Sequence, residues 1–140
     1  MKLRIIGVAL CLSISISASV AEAAGKLSDS QIVTEMLGAW IVPESSTDFR
    51  EDMLRILETY RADGTYSTDF FNDAACTKLK VRVVSLWSIK NGMMTSIYPN
   101  GRHDVDDVVS IRNDTLTLHS HEDGTTYTRV RAASCGIPAS

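Results

Sequence analysis

The chain has no Gly-x-Ser-x-Gly elbow, no glycine-rich phosphate loop and no Cys-x-x-Cys pair. The first absence removes the exposed strand-to-helix nucleophile of one large hydrolase architecture, and the second removes the backbone cradle for nucleotide phosphates. The third leaves no redox dithiol and no zinc-binding cysteine spacing. Adjacent carboxylates occur at Glu51-Asp52 and Asp106-Asp107, but neighbours on extended backbone point to opposite sides and do not form an acid–base pair. An excess of basic charge is missing too. Fourteen Lys and Arg stand against 17 Asp and Glu, a formal charge of −3, and a nucleic-acid partner would require a basic face. No block of like charge and no basic amphipathic helix marks a membrane surface. The sequence therefore predicts neither an enzyme nor a cofactor-dependent protein.

A run of about 20 apolar residues, the length that spans a bilayer, is absent as well. The apolar stretch near the start, Ile5 to Leu12, is short. It follows the basic Lys2 and Arg4 and leads through a Ser-laced segment to Ala21-Glu22-Ala23, a small-x-small cleavage site. Residues 1–23 are thus expected to be a signal peptide, and Leu10 before Cys11 fits a lipoprotein site poorly. The expectation is one exported domain, residues 24–140, periplasmic or extracellular, with no membrane anchor. Losing two cations and one anion with the leader takes the formal charge from −3 to −4.

Of three cysteines, Cys76 and Cys135 remain after cleavage. An even pair in an oxidising compartment predicts a disulfide. The loop it closes, about 60 residues, would be worth about 4 kcal/mol in the chain-entropy description.

What the chain does contain is regular punctuation. Ser28 with Gln31 three residues on is a capping-box pattern ahead of Ile32, Met36 and Leu37, which predicts a short helix. Gly38 ends it. Ala39 to Val42 is the first strand, stopped by Pro43, and the polar Pro43 to Asp52 segment is expected to be a connector rather than a lid. Met53 to Tyr60 and Thr65 to Phe71 flank an Asp63-Gly64 hairpin turn. Lys78 to Ile89 alternates clearly: Leu79, Val81, Val83, Ser85, Trp87 and Ile89 share one face. Turns at Asn91-Gly92 and Asn100-Gly101 then separate Met93 to Tyr98 from Val105 to Arg112. Thr115 to Ser120 and Thr125 to Arg131 complete eight strands. Connections this short leave no room for crossover helices, so neighbouring strands pair antiparallel. Such a meander either closes into an up-and-down barrel or splits into two packed sheets; closure removes exposed edges and is the expected solution.

Six aromatics, Tyr60, Tyr66, Phe70, Trp87, Tyr98 and Tyr127, fall on these strands as candidate ligand-binding residues. The same residues serve equally as barrel filling. His119 and His121 lie on one strand face, but Thr115 and Thr117 share that face, which predicts solvated surface rather than a metal site.

The helix followed by Gly38-Ala39-Trp40 resembles the Gly-x-Trp opening of lipocalin-like proteins of the calycin group. Tyr60-Arg61-Ala62-Asp63-Gly64-Thr65-Tyr66, Trp87-Ser88-Ile89-Lys90-Asn91-Gly92 and Asn113-Asp114-Thr115-Leu116-Thr117-Leu118 resemble hairpins of small bacterial members of that group. The resemblance covers about Ser28 to Arg131. It implies an eight-stranded barrel whose closed end is sealed by Gly38, Trp40 and an arginine packed across the Trp. Arg129 is the expected partner, and Arg131, on the same face, is the alternative. It also implies a non-catalytic protein that binds a small apolar or amphipathic molecule without a cofactor. The other expectation is a periplasmic protein-binding module, similar to a hydrolase inhibitor, with a filled barrel and loop contacts through Pro43 to Asp52 and Asn72 to Thr77.

Overall fold

Ser28 caps the helix as its spacing predicts. The Ser28 hydroxyl accepts from the Gln31 amide at 3.4 Å and the Gln31 carboxamide accepts from the Ser28 amide at 2.9 Å, which satisfies two donors that a helix N-terminus otherwise leaves open. The computed structural model describes residues 26–134 and 137–138, and in it this helix, α1, spans Asp29–Met36. Ile32 and Met36 are its buried side chains, one helical turn apart. Gly38 follows with a φ of +106°, and Arg131 Nη1 lies 3.9 Å from where a Cβ would stand, so a side chain there is strained by backbone conformation. The expected signal peptide lies outside the described residues.

Eight strands follow: β1 (Gly38–Ile41), β2 (Arg55–Tyr60), β3 (Thr65–Phe71), β4 (Leu79–Lys90), β5 (Met93–Ile97), β6 (His103–Arg112), β7 (Thr115–Ser120) and β8 (Thr126–Ser134). Each pairs antiparallel with the next, and β1 also pairs with β8, with Trp40 opposite Arg131. The sheet is therefore a closed eight-stranded barrel, and the two-sheet alternative is ruled out. A two-residue strand, β9 (Ile137–Pro138), adds to β8 beyond the expected eight. The turns are built from the residues that tight hairpins demand: Asn91 and Gly92, for example, both have positive φ, 55° and 77°.

The core sits at one end. Ile32 and Met36 of α1 enter the barrel mouth beside Trp40, Tyr60, Trp87, Leu116 and Leu118. The helix is also tied to the rim, because the Asp29 carboxylate accepts from the amides of Asn91 and Gly92 at 2.8 and 2.7 Å. That end is plugged. The far end has a smaller cluster of its own, in which Val42 and Met53 from the β1–β2 loop pack with Ile56 against Phe49 and Phe70. The loop is thus folded onto the rim by apolar contacts rather than merely connecting strands.

Leu79 and Val81 of β4, which share a face with Ser85 and Trp87, are nonetheless 48% and 44% exposed. The reason is length: the pairing of β4 with β5 runs only over Leu86–Lys90. Among the described residues, 79–85 have β3 on one side and no strand on the other, so the first half of β4 overhangs the barrel.

Candidate functional site

Opposite α1 the barrel opens into a cavity of about 400 Å³. Five of the six candidate aromatics, Tyr60, Tyr66, Phe70, Tyr98 and Tyr127, line it, and Trp87 does not. Trp87 lies beneath the floor. Its ring meets Tyr60 edge-on at 5.1 Å and its Nε1 donates to the Arg61 carbonyl at 3.1 Å. Tyr60 in turn stacks on Tyr66 at 5.1 Å. Trp87 belongs to the closed half, Phe70, Tyr98 and Tyr127 wall the open half, and Tyr60 and Tyr66 stand at the boundary between them.

The arginine assignment needs correcting. Arg131, not Arg129, packs across Trp40, with its guanidinium carbon 4.2 Å from the ring centroid. Arg131 also donates to the carbonyls of Leu37 and Glu35 at 3.2 and 2.6 Å, capping the C-terminal end of α1, where a cation is favoured. The Trp40 Nε1 donates to the Met36 carbonyl at 2.8 Å. Register decides between the two arginines: Trp40 stands directly opposite Arg131, and Arg129 lies two residues further along β8, on the same face but deeper in the barrel.

There Arg129, only 4% exposed, organises the cavity. Its Nε and Nη2 donate to both oxygens of Glu58 at 2.8 and 2.9 Å. Nη1 donates to Asp48 Oδ1 and to the Thr128 carbonyl, each at 3.0 Å, and Nη2 donates also to Asp48 Oδ2. All five guanidinium donors are thereby used. The guanidinium carbon also sits 4.7 Å from the Tyr127 ring centroid. Burial pulls the Arg129 pKa down, but Glu58 and Asp48 outweigh it and hold it well above the ordinary value. Burial likewise pushes Asp48 up, and the hydrogen bonds and charge of Arg129 win, leaving its carboxyl below the usual range.

Asp106 is different. Inward on β6 and 4% exposed, it has no guanidinium or ammonium within salt-bridge distance among the described residues. Burial raises its pKa; the Tyr127 hydroxyl opposes that rise and Asp104 adds to it. An acid whose folded pKa is raised binds its proton more tightly when folded. Its ionisation therefore weakens the fold as pH climbs from the ordinary carboxylate value through the folded one. Asp106→Asn is accordingly expected to raise the Tm at pH 7 and to lose that gain near pH 4, which a pair of thermal melts against the wild type would show. An equal gain at both pH values would mean that charge is not the cause.

Asp107, its sequence neighbour, points outward as expected and meets His121 at 3.0 Å. His119 instead contacts the Thr126 hydroxyl at 3.0 Å. Among the described residues no group of three or more His, Cys, Asp or Glu converges on a metal-sized point. Cys76 sits in the β3–β4 loop with a φ of +55°, while its expected partner Cys135 lies outside the described residues.

Sequence reasoning missed Asp48, Glu58, Asp104 and Asp106 as wall residues. A signal for three of them was present. Glu58 shares its strand face with Ile56 and Tyr60, and Asp104 and Asp106 share theirs with Val108, so period-two alternation alone puts these acids inside. Asp48 comes from a loop and has no such signal. No family model, curated protein or solved structure matches this chain. The molecule is defined by its geometry: a closed antiparallel barrel with one end plugged by a helix and the other open onto a polar cavity.

Proposed function

We propose that the protein is an exported, lipocalin-like carrier that binds one small amphipathic molecule and catalyses nothing. The observation that carries this reading is the open cavity of about 400 Å³ walled by Tyr66, Phe70, Tyr98 and Tyr127. That volume falls in the range of small-molecule sites, and an eight-stranded barrel has room for about one such ligand. An entirely apolar ligand fits poorly, because Asp106 also lines the cavity with no cation beside it and would lose solvent without gaining a partner.

Native mass spectrometry of the protein, purified under non-denaturing conditions from the cells that make it, tests the reading. A discrete extra mass lost on denaturation is the expected result. A bare polypeptide that also fails to bind a fluorescent amphipath saturably would overturn it.

One observation favours the protein-binding alternative. The overhanging half of β4 exposes Leu79, Val81 and Val84 on a strand edge, a place where another chain can add a strand. Lys78 and Lys80 flank this edge, and lysines are a common guard against such pairing. The carrier reading therefore stands first.

A further inference from the structure

Resting on the carrier reading, we propose that the cavity's ligand carries a cationic nitrogen, an alkyl- or arylammonium group, that docks against Asp106. Five carboxylates and three guanidiniums line the cavity. The guanidiniums are already engaged: Arg129 by Glu58 and Asp48, Arg102 by Asp104 Oδ2 at 2.8 Å, and Arg50 by Asp52, which is not part of the wall. The ionised wall keeps a net negative charge, and Asp106 on β6 contributes to it a buried carboxylate with no cation within salt-bridge distance. Low-dielectric walls focus such a field into the cleft and raise the local concentration of cations.

A second, independent feature points the same way. Ser85 of β4 is 4% exposed and faces inward beside Tyr66, its partner across the β3–β4 ladder. Its Oγ has no hydrogen-bond partner among the described residues, and neither does Oδ1 of Asp104. Buried polar atoms left unpaired are costly, and a native fold seldom carries them without use. Ser85, Asp104 and Asp106 stand on β4 and β6, the two strands that flank β5. Of these, Asp104 and Asp106 line the cavity; Oδ1 of Asp104 has no donor among the described residues, and Asp106 has no cation within salt-bridge distance.

The ligand class follows from what these two carboxylates reject. An inorganic cation needs several ligands around one point, and no such convergence exists among the described residues. An anion would need a free guanidinium, and the buried one is fully neutralised. A neutral apolar molecule would leave the acceptors unpaired. An organic ammonium supplies N–H donors and positive charge together, and its carbon frame can lie against Tyr98, Tyr127 and Phe70, with cation–π attraction adding to the ion pair.

Calorimetric titration of the full chain with matched probes tests this: phenethylamine against phenethyl alcohol, and octylamine against octanol, at pH 7. Each amine is expected to bind at least about tenfold tighter than its alcohol, the factor one charge-assisted hydrogen bond supplies. Asp106→Asn, checked to be folded by circular dichroism, should abolish that preference. Alcohols that bind as well as amines, or a preference that survives Asp106→Asn, would overturn the cation assignment and leave the carrier reading intact. Binding of none of the four probes would overturn both.

Discussion

Arg129→Met is expected to destabilise the protein by about 3–5 kcal/mol, the usual consequence of stripping one partner from a buried ion pair. Glu58, with its side chain 11% exposed, would keep its charge with no counter-ion, and Asp48 at 39% would suffer less because water reaches it. Domains of this size are stable by only about 5–15 kcal/mol in total, so urea unfolding should show a much earlier midpoint with a similar slope. The mechanism makes a further demand. Adding Glu58→Gln to Arg129→Met removes the stranded charge and should recover a large part of the loss, because a buried pair replaced as a unit is far less costly than a pair broken in half. Arg129→Lys should fall between, since an ammonium cannot span two carboxylates in the plane of a guanidinium. If the single Arg129→Met variant unfolds within about 1 kcal/mol of wild type, the buried cluster is not what holds the barrel's open half together.

Trp40→Ala is the second change with a large expected effect, again about 3–5 kcal/mol for a fully buried aromatic truncated to a methyl. Trp40 is 0% exposed and joins three elements: α1 through the Met36 carbonyl, β1 through its own backbone, and β8 through the Arg131 guanidinium. Truncation removes the apolar area, the indole hydrogen bond and the surface on which Arg131 lies. Trp40→Phe keeps most of the area but loses the N–H donor, leaving the Met36 carbonyl without its side-chain partner. It should cost a fraction of the alanine change. Thermal melts of both variants decide the matter: an unchanged Tm for Trp40→Ala would mean that the plugged end contributes nothing to closure. Arg131→Ala separates the cation from the ring, with an expected loss of about 1–2 kcal/mol from the stacking alone.

The barrel was legible in the sequence because its information is local. A capping box fixes where α1 begins, Asp-Gly and Asn-Gly pairs fix the turns, and alternation fixes which residues of β4 from Val83 to Ile89 face inward. Each of these is decided within a few residues. The identity of the arginine on Trp40 was not legible, because β1 and β8 are joined by no turn that could set their register. A shift of two residues preserves every side chain's face, so Arg129 and Arg131 are equivalent to any local rule. The Arg129 cluster was hidden for the same reason. It draws Asp48 from a loop, Glu58 from β2 and the arginine from β8, and the barrel alone brings them together. The overhang of β4 was invisible because strand length in one element says nothing about where its neighbour stops.

The β1–β8 pairing also sets an order of events. Every other rung of the ladder joins neighbours in the chain and can form as soon as a hairpin turns. Ala39 meets Ala132 only across nearly the whole of the described chain, and contacts so distant carry the largest loop-closure entropy and form slowly. The segment that closes the ring also delivers Arg131 to Trp40 and to the end of α1. The edge of β1 that faces β8 therefore stays unpaired until residues 130–132 reach it, even where its pairing with β2 has formed. One short stretch then closes the ring and seals the plug together.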